Sequence, residues 1–593
     1  MRFLGLRNAA RNEQRLFSRR RPARLLPGSF FFIAWALLSF LVPAALAQQV
    51  PPVSVTVDFA KTEGALPPIW SFFGYDEPNY TYTPHGKKLL GELASLSPVP
   101  VYIRTHNLLT SGDGIASLKW GSTNVYTEDA SGNPVYSWTI LDKIFDEYRD
   151  AGVKPLVELG FMPEALSTHP EPYKHSWPNG EFETGWSYPP KDYKKWGDLI
   201  FALTTHLRQR YGAEVKTWRW EVWNEPDGIY WKGSTDDYLK LYDYAVDAVV
   251  RALPSARVGG PDITGPGNEH AAEFLRRFLE HCAHEKNFAT GRTGAPLTFI
   301  SIHPKGRPKM LDGHVRMGMS NQLRAIDSGF KIVASFPEWR NTPIILGESD
   351  PEGCAACSAK NHPENAYRNG PLFPTYTAVM LNSIFELAKQ ENVHCEGVVT
   401  WSFQFDDQPY FEGLRELATN GVDKPVLNAF RMFGLLGSTR LSLTSSANIP
   451  ATEIQNSGVT GKPDVSGLAV RREREVDVLL WNYHDDDLPA PDANINLRLA
   501  HLPQGAEKVL VEHYRIDRTH SNSFTAWQRM GSPQQPSAEQ YKELEQAGQL
   551  QLLESPSWMS VRDGALDLKV SLPGQALSLI RISFINWLSG ITE

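Results

Sequence analysis

The sequence predicts an α/β fold, a (β/α)8 TIM barrel, with a C-terminal β-sandwich accessory domain. Three observations carry this. Between residues 70 and 440 short apolar runs alternate with longer amphipathic ones, as repeated βα units require. Eight short runs occur, and acidic, basic or amide residues cluster where they end, at the rim where barrels hold their chemistry. After about residue 440 short strands separated by turns take over.

In chain order, residues 1–47 read as an export signal. Eight arginines precede an apolar stretch from Phe30 to Leu46 and the small-residue site Ala45-Leu46-Ala47. Cleavage there also removes one acid, Glu13, and moves the formal charge from −8 to −15. A mature chain this acidic argues against nucleic acid or an anionic membrane as partner. The expected location is periplasmic or secreted, and the expected substrate is neutral or gripped by a local cation. Residues 48–66 form a strand and linker, with Val53–Phe59 alternating so as to join the sandwich.

The barrel is expected over residues 67–440. Its candidate strands are Trp70–Tyr75, Val101–Thr105, Lys154–Gly160, Thr217–Trp223, Arg257–Gly260, Thr298–His303, Pro343–Glu348 and Gly397–Phe403. Between them, Thr139–Asp150 puts Ile140, Leu141, Ile144, Phe145 and Tyr148 on one helical face. Asp237–Val250 does the same with Leu241, Tyr242, Ala245, Val246 and Val249. In strand four, alternation turns Arg219, Glu221 and Trp223 inward and Trp218, Trp220 and Val222 outward. It also sends Asn224 away from Glu225, so both reach one ligand only if the backbone bulges there.

The sandwich is expected over 441–593, with strands Gly467–Val470, Val476–Tyr483, Ile495–Ala500, Val509–Ile516, Ala565–Val570 and Ala576–Ile582 and an inserted helix Ala538–Ala547. Four cysteines in 593 residues make no disulfide scaffold. Cys354 and Cys357 are expected to close a local disulfide; Cys282 and Cys395 are either free and buried or paired. No phosphate loop, dinucleotide fingerprint or zinc signature occurs, so no cofactor and no metal is expected.

The run from Thr217 to Asp227 sets Glu225 beside Asn224 among indoles. A carboxylic acid held among apolar rings keeps its proton to higher pH and can give it to a leaving oxygen. Acetal hydrolysis needs a second carboxyl to attack or stabilise the anomeric carbon. Glu348, where the apolar run Ile344-Ile345-Leu346 breaks into turn residues, is the best partner; Asp350 and Glu352 are rivals within the turn. Asn224 is expected to hold a sugar 2-hydroxyl. Arg104 and His106 hold the nucleophile or ring hydroxyls, with pairing of Arg104 to Glu221 or Glu158 the structural alternative. His303 either joins the site or is a satisfied core histidine, and Trp401 is a stacking wall or a core indole.

The stretches Val101–His106, Lys154–Pro163, Trp220–Pro226 and Arg257–Pro261, together with Glu348, resemble glycoside hydrolase family 39, which contains β-xylosidases and α-L-iduronidases. His513–Asp517 through Ser521–Trp527 looks like the accessory β-domain of the family's xylosidases. The resemblance implies a retaining barrel glycosidase with its acid/base at Glu225 and its nucleophile at Glu348. Overall likeness favours removal of β-D-xylosyl units. His303-Pro304-Lys305-Gly306 and Glu348-Ser349-Asp350-Pro351 look more like the iduronidase versions, in which Lys305 would meet a uronate carboxylate. A noncatalytic carbohydrate-binding barrel is the reading from another class, and two suitable glutamates argue against it. The long loops Leu166–Pro189 and Cys354–Pro374 imply a closed, exo-acting pocket.

Overall fold

The computed structural model describes residues 51–96 and 98–584, so the expected export signal lies outside the described residues. Eight parallel strands close into a barrel: β1 Phe72–Tyr75, β2 Tyr102–Thr105, β3 Lys154–Leu159, β4 Arg219–Val222, β5 Arg257–Thr264, β6 Phe299–His303, β7 Ile344–Leu346 and β8 Cys395–Trp401. A helix follows each: α1 Pro84–Ala94, α2 Thr139–Ala151, α3 Tyr193–Tyr211, α4 Thr235–Ala252, α5 Glu269–His284, α6 Met319–Ser335, α7 Leu372–Glu391 and α8 Pro425–Leu435.

The helices form where the apolar period says they should. In α2, Leu141, Ile144, Phe145 and Tyr148 are buried on one face, and Gly152 ends the helix at φ 82°, a conformation glycine reaches without a Cβ clash. The Tyr148 hydroxyl then joins β1 to β2, lying 2.8 Å from that of Tyr75 and 2.6 Å from Thr105 Oγ1. Burial of each large apolar side chain is worth roughly 1.5–3 kcal/mol before ordering entropy, so Phe145→Ala should cost about 3–5 kcal/mol. Helix α4 starts at a capping box of Ser234 and Asp237 and buries Leu241, Tyr242, Ala245, Val246 and Val249.

Strand four corrects the parity expectation at one residue. Arg219 and Glu221 face the interior, whereas Trp218 packs outward on Phe145 of α2. Trp223, expected inside, instead packs outward against Trp196 of α3 and Trp231. The cause is the backbone: Trp223 has φ 73° and Glu225 φ 42°, two left-handed residues that break the alternation. Trp223 N–H donates to Leu159 of β3, and Glu225 N–H donates to Asp262 of β5. The bulge therefore turns both Asn224 and Glu225 toward the barrel mouth.

The accessory layer is one hydrogen-bonded sheet of ten strands rather than two separately bonded sheets. Its members include Val53–Ala65, Thr439–Ser445, Asp464–Arg471, Glu475–Tyr483, Ala493–Ala500, Lys508–Ile516, Leu566–Leu572 and Ala576–Phe584. The sheet curls until its wings share one core, where Val511 and Ile582 meet Leu497 and Val570; it is a sandwich in packing. Alternation divides the strand Glu475–Tyr483 cleanly. Val476, Val478 and Leu480 enter that core, whereas Leu479, Trp481 and Tyr483 join the barrel core. The N-terminal strand inserts between Thr439–Ser445 and Ala493–Ala500. The helix Ser523–Arg529 places Ala526 and Trp527 against Phe411, so the accessory layer also holds the long loop between β8 and α8.

Candidate active site

The ends of the barrel strands converge on a buried cluster. From β2, Arg104 is fully buried. It donates from Nε to Glu221, from Nη1 to Glu348 Oε1 at 3.2 Å and from Nη2 to Asn224 Oδ1 at 3.1 Å. Its Nη2 also lies 3.0 Å from Glu158, and Nη1 lies 3.1 Å from His106 Nε2. Arg104 thus fills the barrel interior with Glu158 and Glu221, as the structural alternative expects, and also contacts Glu348. His106 sits 2.8 Å from Asp76 and 3.4 Å from Glu348.

On the opposite side, His303 bridges the two expected catalytic acids. Its Nδ1 is 3.1 Å from Glu225 Oε1 and 3.8 Å from Glu348 Oε1, and its Nε2 is 2.9 Å from Asp262. Gly347 makes this approach possible, because a Cβ there would stand 2.4 Å from Asp262 Oδ1 and collide with the His303 ring. Lys305 Nζ lies 2.5 Å from Glu348 Oε2 and 3.2 Å from Asp350. The indoles near Glu225 in sequence belong to the core behind β4, and the Glu225 side chain meets His303 instead.

The electrostatics favour an ionised Glu348. Burial alone would raise its carboxyl, but Lys305, His303 and His106 hold it well below the usual range. Burial likewise works against charge on His106, yet Glu158, Asp76 and Glu348 hold its pKa up at about 9. His303 is raised against its burial by Glu348, Asp262 and Glu225, and Lys305 by Glu348 and Asp350. Burial pushes Glu158 up to about 7.

Glu225, His303 and Glu348 present three ligand-type atoms within 4.8 Å of one another, a spacing that a metal ion would accept. Each oxygen of Glu348 already faces a cation, Arg104 on one side and Lys305 on the other, so its charge is balanced by the protein.

Above these carboxylates lies a cavity of about 240 Å³ lined by Asp76, Lys119, Trp177, Phe182, Tyr230 and Trp401 together with Glu225 and Glu348. Trp401 forms its floor, with Nε1 donating to Asp76 at 3.2 Å and its ring under Arg104. Trp177 and Phe182 come from the first of the two long loops, and Cys354 and Ala355 of the second also line the wall. Cys354 and Cys357 are disulfide-bonded, and Cys282 and Cys395 are free and buried. Arg368 holds that loop by donating to the carbonyls of Cys354 and Cys357, both at 2.7 Å.

All eight expected site residues therefore gather at one rim. Sequence reasoning missed Asp262, because the Gly260-Pro261 break ended the expected strand early, whereas β5 runs on to Thr264. An acid directly after a glycine-proline strand end was the available signal. It also missed Lys119 and Tyr230, which lie in loops with no periodicity to mark them.

The model of Glycosyl hydrolases family 39 matches residues 56–561. A β-xylosidase of Caldicellulosiruptor saccharolyticus is 27% identical over 456 residues, 74% of this chain and 81% of the relative. An α-L-iduronidase of Mus musculus is 26% identical over 575 residues, 91% of this chain and 82% of the relative. The crystal structure of the GH39 enzyme from Xanthomonas axonopodis pv. citri shares the fold, with TM-score 0.70 at 21% identity, covering 92% of this chain and 100% of that one. With the match to the family running from the N-terminal strand through the barrel and most of the accessory sheet, the chain belongs to glycosyl hydrolases family 39.

Proposed function

We propose that this glycosidase is a retaining exo-hydrolase in which Glu348 is the nucleophile and Glu225 the acid/base, and that it removes β-D-xylosyl units from xylo-oligosaccharides or related glycosides. The observation that carries the mechanism is the spacing of the two carboxylates. Their nearest oxygens lie within 4.8 Å, close to the about 5–5.5 Å of retaining enzymes and short of the roughly 6.5–9.5 Å that leaves room for an attacking water.

In the first step a Glu348 oxygen forms a bond to the anomeric carbon as the bond to the leaving oxygen breaks. Glu225 gives that oxygen its proton. In the second step Glu225, now a carboxylate, takes a proton from water; the water oxygen bonds to the anomeric carbon and Glu348 leaves. Arg104, His106 and Lys305 keep the nucleophile ionised and fixed. The Asn224 Nδ2 donor is buried without a protein partner, and a sugar 2-hydroxyl would accept from it. Asp262 orients His303, which in turn positions Glu225.

A cavity of about 240 Å³ closed by two loops suits one terminal sugar. The lysine that lines it, Lys119, faces Asp76, and Lys305 behind Glu348 is matched to Glu348 and Asp350, so a neutral glycone leaves these pairs intact. A second reading, an α-L-iduronide, is favoured by the position of Lys305 itself. A β-D-xyloside and an α-L-iduronide share configuration from C1 to C4 and differ in the C5 carboxylate, so one catalytic pair serves both. The ratio of kcat/KM on aryl β-D-xyloside and aryl α-L-iduronide tests the choice: a preference for the xyloside supports the first reading, and a reversal transfers the enzyme to the uronide. The arginine-rich leader supports export, for which amino-terminal sequencing should find Gln48 first.

A further inference from the structure

The proton from Glu225 goes to the leaving oxygen, so the leaving group must depart on the Glu225 side of the glycone pocket. There a second cavity of about 710 Å³ begins at Glu225 and is lined by His303, Lys305, Arg307 and Arg324 and by Gln455 of the accessory layer. It continues into a third, of about 740 Å³, which shares Arg307 and Asn321 with it and adds Lys309 and Thr460. The result is one groove leading from the acid/base out along the junction of barrel and accessory sheet.

Its charge differs from that of the glycone pocket, whose lining lysine, Lys119, faces Asp76. Arg307, Lys309 and Arg324 have no carboxylate partner among the described residues. Arg324 donates only to neutral oxygens, the Gln455 carbonyl at 3.0 Å and Asn321 Oδ1. The aspartates in the lining, Asp327 and Asp485, pair with other groups rather than with these three cations. Asp327 accepts from Lys331 at 2.6 Å and from Gln455 at 2.7 Å, while Asp485 accepts from Tyr483 at 2.7 Å. Arg316, also in the groove, is taken by Asp486. On a chain of formal charge −8, three unmatched cations along the exit of the active site form a local field for anions.

We infer that this groove binds the leaving-group side of the substrate as an anionic glycan, with carboxylated or sulfated sugars contacting Arg307, Lys309 and Arg324. This rests on the assignment of Glu225 as acid/base. The enzyme then removes a neutral terminal sugar from an acidic oligosaccharide, and selects that oligosaccharide by the charged sugars beyond the scissile bond.

The test uses the full-length enzyme and four substrates carrying the same glycone: an aryl glycoside, an unsubstituted xylotriose, the same trisaccharide bearing glucuronic acid beyond the scissile bond, and the same trisaccharide bearing sulfate there. Two or three exposed ion pairs should favour an acidic trisaccharide over the neutral one by roughly tenfold in kcat/KM. That preference should shrink on raising the ionic strength from about 0.05 to about 0.5 M, and should vanish in Arg307→Ala/Arg324→Ala, whose aryl-glycoside rate stays at the wild-type value. Preference for the glucuronosyl or for the sulfated arm identifies the anion. Equal kcat/KM on neutral and both acidic chains, with the aryl glycoside turned over, overturns the inference alone. Failure on the aryl glycoside as well overturns the catalytic reading and this inference with it.

Discussion

Replacing Lys305 by alanine should move the acid limb of the pH profile upward. Lys305 Nζ stands 2.5 Å from Glu348 Oε2 and is largely shielded from water. A unit pair with charge centres about 4 Å apart is worth about 4 kcal/mol at an effective dielectric near 20. Part of that charge is shared with Asp350, and Arg104, His106 and His303 remain beside the nucleophile. A rise in the Glu348 pKa is therefore expected, smaller than loss of an isolated ammonium would give. The sign is fixed by the wild-type state: Glu348 is held well below the usual range, so it stays ionised into acid. Without the ammonium it takes up its proton at higher pH, and kcat/KM, which reports the free enzyme, falls earlier on acidification. The assay is kcat/KM on the preferred aryl glycoside from pH 3 to 8 for wild type, Lys305→Ala and Lys305→Arg, with folding checked by circular dichroism. A folded Lys305→Ala whose acid limb coincides with that of wild type refutes the reasoning.

The same geometry sets three further outcomes. Glu225→Gln should lose about 10²–10⁴-fold in kcat on substrates with poor leaving groups, and azide should restore turnover to give a glycosyl azide of retained configuration; no rescue, or an inverted azide, contradicts its role as acid/base. Asn224→Ala should lower kcat by about 100-fold with little change in KM, because hydrogen bonds to the 2-hydroxyl strengthen in the transition state; a pure KM effect would reassign the residue to ground-state binding. His106, with a folded pKa raised to about 9, contributes stability that is fully present below about pH 6.5, its unfolded value, and is lost as pH rises through 9. The Tm advantage of wild type over His106→Asn should therefore narrow between pH 7 and 10, and a constant gap would show that the imidazolium is not stabilised.

Much of this architecture was legible in the chain because barrel strands and helices obey simple periods. Each expected barrel strand overlaps an observed one, and Thr139–Ala151 and Thr235–Ala252 bury the faces their patterns mark. Glu348 was legible as an acid just beyond an apolar strand, and Glu225 as the acid beside Asn224 in the turn that closes strand four. The features that escaped depend on backbone conformation, which side-chain hydrophobicity does not encode. The left-handed pair Trp223 and Glu225 reverses the facing of Trp223 and Asn224, and no apolar pattern records it. Asp262, itself at φ 53°, lies past a glycine-proline pair that ordinarily ends a strand. The curled single sheet escaped for another reason: strand pairing across hundreds of residues, such as Val53 with Ile495, leaves no local trace.

The account stands on Glu348 forming a covalent bond to the sugar. A 2-deoxy-2-fluoro glycoside of the preferred glycone with an activated leaving group should trap that intermediate, and mass spectrometry of the digested enzyme should find the mass of one fluoroglycosyl unit on the peptide carrying Glu348. The label on Asp350 or Glu352 instead, or steady turnover with no adduct and a first product of inverted configuration, would contradict it.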